Sequence, residues 1–453
     1  MRSKQINYNK MSNKILKAMK RVIDITMIAL ILFTIISLVT ANAADKVEIN
    51  DQDPQSFITL RGKIVDDVSG DPLIFATIAL KGTNVATVSN LDGEFILKID
   101  TDVTDPYIEV MYIGYKNKEI PLSNLTTGEE ENLIELTQAT IPIQEVIVKP
   151  VTPEEILERV ISNIGTNYAE VPNLMTGFYR ETIRKNRNYV SIAEAVIEVF
   201  KAPYQNDFRF DATKIYKGRK NVDVSRIDTV LFRLQGGPVT TLQLDIVKNS
   251  SGILAYDIME SYVYTLDNII VIDEKPHYVI EFHQHPNVEM PLFLGKLFVE
   301  MDSYAVTEAE FSINLEDEDQ AASIFVRKKP LGMKVTPESA SYRVKFREQN
   351  GKYYFAYARA EVEFKCNWKR KLFNKNYTTM SEIAITDRTE EEVVKFASSE
   401  KIRKGDIFTE QLSAFADPDF WGEYNVIEPD QSIESAIRRL NRRLRWSDLF
   451  DNE

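Results

Sequence analysis

Residues 341–364 read SYRVKFREQNGKYYFAYARAEVEF, in which two runs of alternating apolar and polar residues flank Asn350-Gly351. In the first run the apolar and basic side chains alternate, with Tyr342, Val344 and Phe346 on one parity and Arg343, Lys345 and Arg347 on the other. Alternation at period two separates the two sets onto opposite faces of a strand, and Asn-Gly suits the positive φ angles of a tight hairpin turn. The stretch therefore predicts a half-buried antiparallel hairpin of residues 341–348 and 352–364.

The same alternation recurs before this hairpin, at residues 278–283, 296–301 and 308–314, and strand-like runs dominate from residue 176 to about 386. Strands that follow one another at short spacing pair most simply with their sequence neighbours in an antiparallel meander. We therefore predict a large antiparallel α+β domain whose sheet is a curved meander, and a chain that is mainly β.

An amphipathic helix opens this β-rich region. Thr152 and Glu155 have the spacing of a capping box, and Pro153 lies at the first helical position. Apolar residues then repeat at helical spacing, at Ile156, Leu157, Val160, Ile161 and Ile164.

Short strands also fill the chain before Pro150. Strand-like runs lie at residues 58–65 and 76–81, a third strand ends at Asn90, and further runs lie at 94–99, 107–112, 116–122, 133–137 and 145–148. Residues that favour turns separate them, and Asp92-Gly93 suits a tight hairpin. Several short strands at this spacing are typical of a small β-sandwich.

Six motifs in this first region fall in order: Gly62-Lys63-Ile64-Val65-Asp66, Gly70-Asp71-Pro72-Leu73, Ala76-Thr77-Ile78, Lys81-Gly82-Thr83, Leu91-Asp92-Gly93-Glu94-Phe95 and Tyr112-Ile113-Gly114-Tyr115. Together they resemble the carboxypeptidase regulatory-like domain, over residues 59–148. The resemblance implies a seven-stranded transthyretin-like sandwich, a module often found in TonB-dependent receptors and other cell-envelope proteins. It implies an accessory or interaction role and no peptidase activity, since neither His-x-x-Glu nor His-Glu-x-x-His occurs in the sequence.

A second resemblance concerns the larger region. The helix followed by the meander, with Leu297-Phe298-Val299-Glu300-Met301-Asp302 and then Tyr304-Ala305-Val306, is similar to the half-barrel of periplasmic lipoprotein carriers. The resemblance implies a concave sheet face that either accepts acyl chains or is filled as an ordinary core. Both possibilities stay open at this point. The segment from Ala416 to Leu444 also resembles one that recurs in uncharacterised envelope proteins.

The first 43 residues predict a secretory signal. A basic stretch precedes the nearly apolar residues 25–39, and Ala41-Asn42-Ala43 offers a cleavage site. An uncleaved anchor is the alternative, although the apolar run is shorter than the about 20 residues of a spanning helix. We expect export to the periplasm or to the periplasmic face of the outer membrane. The predicted units are a signal peptide (1–43), a linker (44–57), a β-sandwich (58–149), a β-rich α+β domain (150–415) and a C-terminal segment with an amphipathic helix (416–453).

Composition narrows the function further. The 453 residues carry a net charge of -13, which opposes non-specific binding of nucleic acid. The single cysteine, Cys366, closes no internal disulfide, and the chain has only three histidines. We expect no cofactor, and the sequence does not indicate an oligomeric state.

The weak metal candidate is a group of two histidines and a carboxylate. Glu281, His283 and His285 would share one face if the strand continued to residue 285, and such a set could bind a divalent cation. A solvated strand face explains the same spacing, and Pro286 favours an end to the strand. The acidic run 316–319 lacks the glycine and spacing of a calcium loop and favours a solvated tip.

The C-terminal helix is predicted to begin at Ser432 and to be basic. Its candidate contacts with a partner or an anionic membrane are Arg438, Arg439, Arg442 and Arg443, beside an apolar stripe of Ile433, Ile437, Leu440 and Leu444. Packing of the stripe on the sheet is the competing interpretation.

We therefore interpret the chain as a non-enzymatic exported envelope protein that binds an outer-membrane or periplasmic component. Its expected partner is an envelope protein or a lipid or lipoprotein. The alternatives are a lipid or lipoprotein carrier with an apolar cavity in the second domain, and a hydrolase that uses two carboxylates.

Overall fold

The computed structural model describes residues 57–139, 151–205, 211–222, 237–248, 252–325, 332–368, 374–414 and 420–438. The predicted signal peptide, the linker up to residue 56 and the strand expected at 145–148 lie outside these residues. Among the described residues, no helix combines the length and the apolar character needed to cross a bilayer.

The first region folds as the predicted seven-stranded sandwich. Its strands are β1 (Phe57–Asp66), β2 (Thr77–Leu80), β3 (Ala86–Val88), β4 (Glu94–Asp100), β5 (Tyr107–Met111), β6 (Lys118–Pro121) and β7 (Glu131–Leu136). They form a three-stranded sheet in the order β4-β1-β7 and a four-stranded sheet in the order β3-β2-β5-β6. Fully buried aliphatic side chains such as Leu60, Ile64 and Leu97 fill the space between the sheets, as period-two alternation requires.

Gly93 shows why the turn before β4 needs glycine. Its φ is 78°, in the left-handed region, and a Cβ there would lie 2.7 Å from the carbonyl oxygen of Ile64. The side chain of Asn90 completes the turn by accepting hydrogen bonds from the backbone N–H groups of Asp92 and Glu94, each at 2.9 Å.

The second region is an eleven-stranded sheet with short helices. The elements are α1 (Pro153–Asn167), β8 (Asn173–Lys185), β9 (Asn188–Lys201), β10 (Ala212–Val222), α2 (Gly237–Leu242), β11 (Tyr262–Ile272), β12 (Lys275–Gln284), β13 (Phe293–Glu300), β14 (Val306–Ile313), α3 (Glu318–Phe325), β15 (Met333–Gln349), β16 (Lys352–Trp368), β17 (Lys375–Thr389) and β18 (Ser413–Ala414). The strand order is β11-β12-β13-β14-β15-β16-β17-β8-β9-β10-β18. All pairings are antiparallel except β10 with β18. The prediction of a mainly β chain with a helix followed by an antiparallel meander is confirmed.

The local sequence signals for α1 and for the β15–β16 hairpin are confirmed. Thr152 accepts a hydrogen bond from the N–H of Glu155 at 3.2 Å, and the Glu155 carboxylate accepts one from the N–H of Thr152 at 3.4 Å. Asn350 and Gly351 have φ angles of 52° and 77°, which matches a primed turn.

One face of the large sheet is an apolar core. A row of residues in direct register crosses eight strands: Ile280, Leu297, Ala309, Val344, Ala358, Ile383, Tyr179 and Ala195. This row belongs to one buried cluster with Leu157 of α1, Leu242 of α2 and Ile253 of the following segment. Because helices and loop residues pack on it, this face is filled as a core.

The opposite face carries charge. A second row in direct register is offset from the apolar row by one residue on each strand that the two rows share. We call it the charged row, and it consists of Glu310, Arg343, Arg359, Glu382, Arg180, Glu194 and Arg219. At its centre Arg180, Glu194 and Glu382 are at most 2% exposed. The sequence predicted the alternation correctly, but in the structure the charged face is covered instead of solvated.

The cover comes from the sandwich and from residues 420–438. Phe75 stacks on Tyr357 with ring centroids 5.4 Å apart, and Trp421 packs edge-on against Phe178 at 5.4 Å. These residues share one buried cluster with Ile427. Residues 56–453 accordingly form one compact unit. The domain boundaries drawn from the sequence stay predictions.

Candidate functional site

A cavity of about 90 Å³ lies where the sandwich meets the large sheet. The sandwich contributes apolar and hydroxyl side chains, among them Thr87, Met111 and Tyr112, and the large sheet contributes charged and aromatic ones. Two contacts fix the position of the sandwich at this cavity. The N–H of Gly114 donates to the carbonyl oxygen of Val271 at 2.9 Å, and Asn117 donates to the carboxylate of Asp273 at 2.6 Å.

Arg347 is the basic residue of the cavity lining that forms no ion pair with a described acidic residue. Its Nη2 donates to the backbone carbonyl of Asn84 at 2.6 Å, whereas Nη1 is buried and has no hydrogen-bond partner. Burial, followed by the neighbouring Arg388, lowers the pKa of Arg347 to about 10. Asp387 and Glu109 are near enough to oppose this shift in part, but neither forms an ion pair with Arg347. A buried guanidinium group without an ion pair is costly, so Nη1 is open to a further anionic group.

The other cations of the cavity are paired. Lys275 bonds Glu348 at 2.9 Å, and Lys345 lies 3.5 Å from Glu308 and donates to the carbonyl oxygen of Phe75 at 2.9 Å. Arg388 pairs with Glu390 at 2.8 Å. Arg347 is therefore the cation of the lining that forms no ion pair with a described residue.

Two acceptors in the lining also lack a hydrogen bond, although one of them, Oε1 of Glu308, lies 3.7 Å from Nε of Arg343. His277 is 1% exposed, and its Nδ1 lies 2.8 Å from the carbonyl oxygen of Lys275. Nδ1 thus carries the proton, and the unpartnered Nε2 is an acceptor. Burial lowers the pKa of His277, which keeps the ring neutral. Oε1 of Glu308 is likewise buried without a hydrogen bond. Unsatisfied buried atoms of this kind mark a place for water or a ligand.

The weak metal candidates are not brought together as a metal site. The strand β12 ends at Gln284, so His285 lies beyond it. Glu281 pairs with Lys296 at 2.8 Å, and His285 accepts from the N–H of Asn287 at 3.2 Å. Within the described ranges, no group of three His, Cys, Asp or Glu side chains is placed to hold a metal ion. In the acidic run, Asp317 accepts from the N–H groups of Asp319 and Gln320 at the start of α3.

The C-terminal helix, residues 431–438 in the structure, begins differently from the prediction. Asp430, not Ser432, caps it by accepting from the N–H of Ile433 at 2.9 Å, because a carboxylate two residues earlier reaches the first turn. Ile433 packs on Ile192 of β9, and Arg438 pairs with Glu434 at 2.9 Å. Arg439, Arg442 and Arg443 lie outside the described residues, and their contact with a partner or membrane stays a prediction.

Glu181 is a buried acid on the apolar face of the sheet. It is 3% exposed, and it accepts a hydrogen bond from the Tyr179 hydroxyl at 2.9 Å. Burial raises the pKa of Glu181 to about 8, although the Tyr179 bond opposes the shift. The carboxyl is therefore mainly protonated at neutral pH. It lies outside the lining of the cavity.

Replacing Glu181 by glutamine should stabilise the protein at pH 8 and not at pH 4. Between the ordinary pKa of 4.5 and the folded value of about 8, the unfolded chain ionises while the folded protein keeps its proton, so stability falls as pH rises. We expect Glu181→Gln to raise the free energy of unfolding by about 2 kcal/mol already at pH 6, and by more at pH 8, because each pH unit above 4.5 adds about 1.4 kcal/mol. Urea unfolding at pH 4, pH 6 and pH 8 measures this, with Glu391→Gln as an exposed control. An equal effect at pH 4 and pH 8 would contradict the assignment.

Comparisons with known proteins identify the domain family that the sandwich matches. A family model described as the CarboxypepD_reg-like domain matches residues 60–148, which confirms the resemblance drawn from the six motifs. A segment of 66 residues, 15% of the chain, is 38% identical to the TonB-dependent receptor SusC of Bacteroides thetaiotaomicron. The match spans only 6% of the length of that receptor.

Solved structures with some similarity cover about half of the chain. A LolA superfamily protein from Nitrosomonas europaea is 12% identical, covering 54% of this chain and 98% of its own, with a TM-score of 0.17. A DUF1329 family protein from Desulfovibrio piger is 12% identical, covering 54% and 97%, with a TM-score of 0.22. At TM-scores this low the similarity supports no inference about function, and the carrier-like half-barrel stays a prediction.

Sequence patterns did not reveal the cavity as a site. They placed Arg347 on the basic face of a strand but gave no reason to separate it from Arg343 and Lys345, which are its neighbours on that face. Their different roles depend on distant acids, since Glu308 and Glu310 pair with Lys345 and Arg343. The sequence feature that could have indicated an anion site here was the presence of three basic residues on one face of the same strand.

Proposed function

We propose that this chain is an exported, non-catalytic binding protein of the cell envelope that holds its ligand in the cavity between the sandwich and the large sheet. The observation that carries the proposal is the set of buried, unpartnered polar atoms in the lining, on Arg347, His277 and Glu308. Structural polar groups are ordinarily satisfied within the protein, so unsatisfied ones in a cavity favour an external partner.

A binding role without catalysis is supported by the chemistry of the lining. His277 would be the natural general base, but neither ring nitrogen is hydrogen-bonded to a hydroxyl or thiol in the described part of the chain. The Cys366 thiol is fully buried, and burial raises its pKa to about 12. Nucleophilic catalysis needs a nucleophile within reach of its base, and this arrangement does not offer one.

An envelope location is supported by the amino-terminal signal pattern and by the matched CarboxypepD_reg-like domain. A segment of the chain is also similar to a protein named as a TonB-dependent receptor, SusC. Fractionation of the producing cells tests the location directly. Recovery of the native chain in the cytosol would contradict it.

No observation on the described residues favours the lipid-carrier alternative. An acyl chain needs an open apolar cavity, whereas α1, α2 and residues 252–259 pack on the apolar face of the sheet. We expect a fluorescent fatty acid to show no saturable binding to the full chain. Saturable binding, displaced by an unlabelled fatty acid, would instead support a carrier.

The binding proposal is tested by native mass spectrometry of the full chain isolated from the envelope of its own cells. We expect a noncovalently bound small molecule in the wild-type protein. Ala356 lines the cavity, so Ala356→Leu should fill space there and reduce the bound fraction. Ala360, on the same strand but outside the lining, provides the matched control Ala360→Leu. A wild-type protein that carries nothing, or an equal bound fraction in all three proteins, would contradict the proposal.

A further inference from the structure

We propose that the cavity binds a compact oxyanion, a phosphate or carboxylate group, through the free Nη1 of Arg347. This inference rests on the proposed binding function and specifies the ligand class. The Nη1 atom is buried, and its two N–H bonds donate no hydrogen bond to a described protein residue.

The charges around the cavity leave one cationic donor, Nη1 of Arg347, available to an anion. Four basic residues line it, and three acids accompany them: Lys275, Lys345, Arg347 and Arg388 with Asp273, Glu308 and Glu348. Glu348 and Glu308 are paired with Lys275 and Lys345, and Arg388 has Glu390. Two charges of the lining then have no ion pair with a described residue: Arg347, and Asp273, whose carboxylate accepts a hydrogen bond from Asn117.

The geometry also favours a guanidinium contact over a lysine contact. The bond from Nη2 to the backbone oxygen of Asn84 fixes the plane of the guanidinium group, so Nη1 is held in place before a ligand arrives. A charged donor held in a fixed direction suits a carboxylate or phosphate oxygen, with one hydrogen bond from Nη1. Lys345 uses its ammonium group on the Phe75 carbonyl and is less available.

The size of the cavity limits the ligand. A volume of about 90 Å³ exceeds the about 10–15 Å³ that a cavity needs to hold one water molecule, so it has room for an oxyanion or the terminal group of a larger molecule. The neutral His277 Nε2 can accept a hydrogen bond from water or from the hydroxyl of a partly protonated phosphate, and it adds no positive charge. Arg347 therefore carries the anion preference.

Isothermal titration of the full chain with inorganic phosphate and, separately, with acetate tests the inference, with ionic strength matched by chloride. We expect saturable binding of at least one oxyanion and none of chloride. Tighter binding of phosphate would assign a phosphate group, and tighter binding of acetate a carboxylate. If neither ion binds the wild-type protein, the cavity holds water only and the inference is wrong.

The decisive variant is Arg347→Gln, which keeps a donor but removes the charge. We expect its affinity for the oxyanion to fall about tenfold or more, while Arg403→Gln, an exposed arginine outside the cavity lining, binds as the wild type does. If Arg347→Gln does not fold, Ala356→Leu, which leaves the guanidinium group in place, should weaken oxyanion binding by filling the cavity. Unchanged affinity in either folded variant would overturn the inference. A bound neutral molecule in native mass spectrometry, without oxyanion binding, would leave the binding function standing and remove only this specification.

Discussion

Truncation of Phe75 to alanine is expected to lower the free energy of unfolding by about 4 kcal/mol. The ring lies at the contact between sandwich and sheet, where it is 9% exposed and stacks on Tyr357. The guanidinium carbons of Arg343 and Arg359 lie 5.4 Å and 5.2 Å from its centroid. Alanine would therefore leave a cavity over charged groups and remove two cation–π contacts as well.

The loss should also change how the protein unfolds. The sandwich has its own core around Leu60 and Leu97, so it can stay folded after its contact with the sheet weakens. We expect urea unfolding followed by tryptophan fluorescence and by circular dichroism to give coincident transitions in the wild type and separate transitions in Phe75→Ala. Phe57→Ala is the matched control, because Phe57 is on the same sandwich and 39% exposed. A loss no larger than that of the control would show that the two regions are not coupled through Phe75.

The sequence was sufficient where the signal is local. The alternation of Val344 with Arg343 and Lys345 fixes which side chains share a face, because strand periodicity depends on neighbouring residues alone. The Thr152–Glu155 capping box is equally local. For the same reason the six motifs of the sandwich could be assigned to a known domain.

The sequence was insufficient where distant segments meet. Arg180 pairs with Glu382, which is 202 residues away, and nothing near either residue indicates that partner. The cover of the charged row and the cavity beside Arg347 are set by the packing of the sandwich and of Trp421 on the sheet. A polar strand face is ordinarily solvated, so local reasoning assigned these charges to the surface.

Arg180 is the centre of the covered charged row, and its replacement by methionine is expected to destabilise the protein by about 3 kcal/mol. The guanidinium donates to Glu194 at 2.8 Å, to Glu382 at 3.3 Å and to the carbonyl oxygen of Ile427 at 2.8 Å. Methionine is close to arginine in side-chain length, but it leaves the carboxylates of Glu194 and Glu382 and the carbonyl oxygen of Ile427 with fewer hydrogen-bond donors. Arg219 and Arg359 still contact these carboxylates, which keeps the expected loss near the lower end for a broken buried pair.

At acid pH, the difference in the free energy of unfolding between the wild type and Arg180→Met should be smaller. Burial raises the pKa of Glu194, but Arg180 and Arg219 outweigh it and hold that pKa below its ordinary value. This contribution to stability is present above the ordinary pKa and is lost as the pH falls through the folded value. Urea unfolding of Arg180→Met and wild type at neutral and acid pH measures it. Arg438→Met, which removes an exposed pair with Glu434, should cost at most about 0.5 kcal/mol. If Arg180→Met costs no more than this control, or its effect is the same at both pH values, then the row is not held together by charge pairing at Arg180.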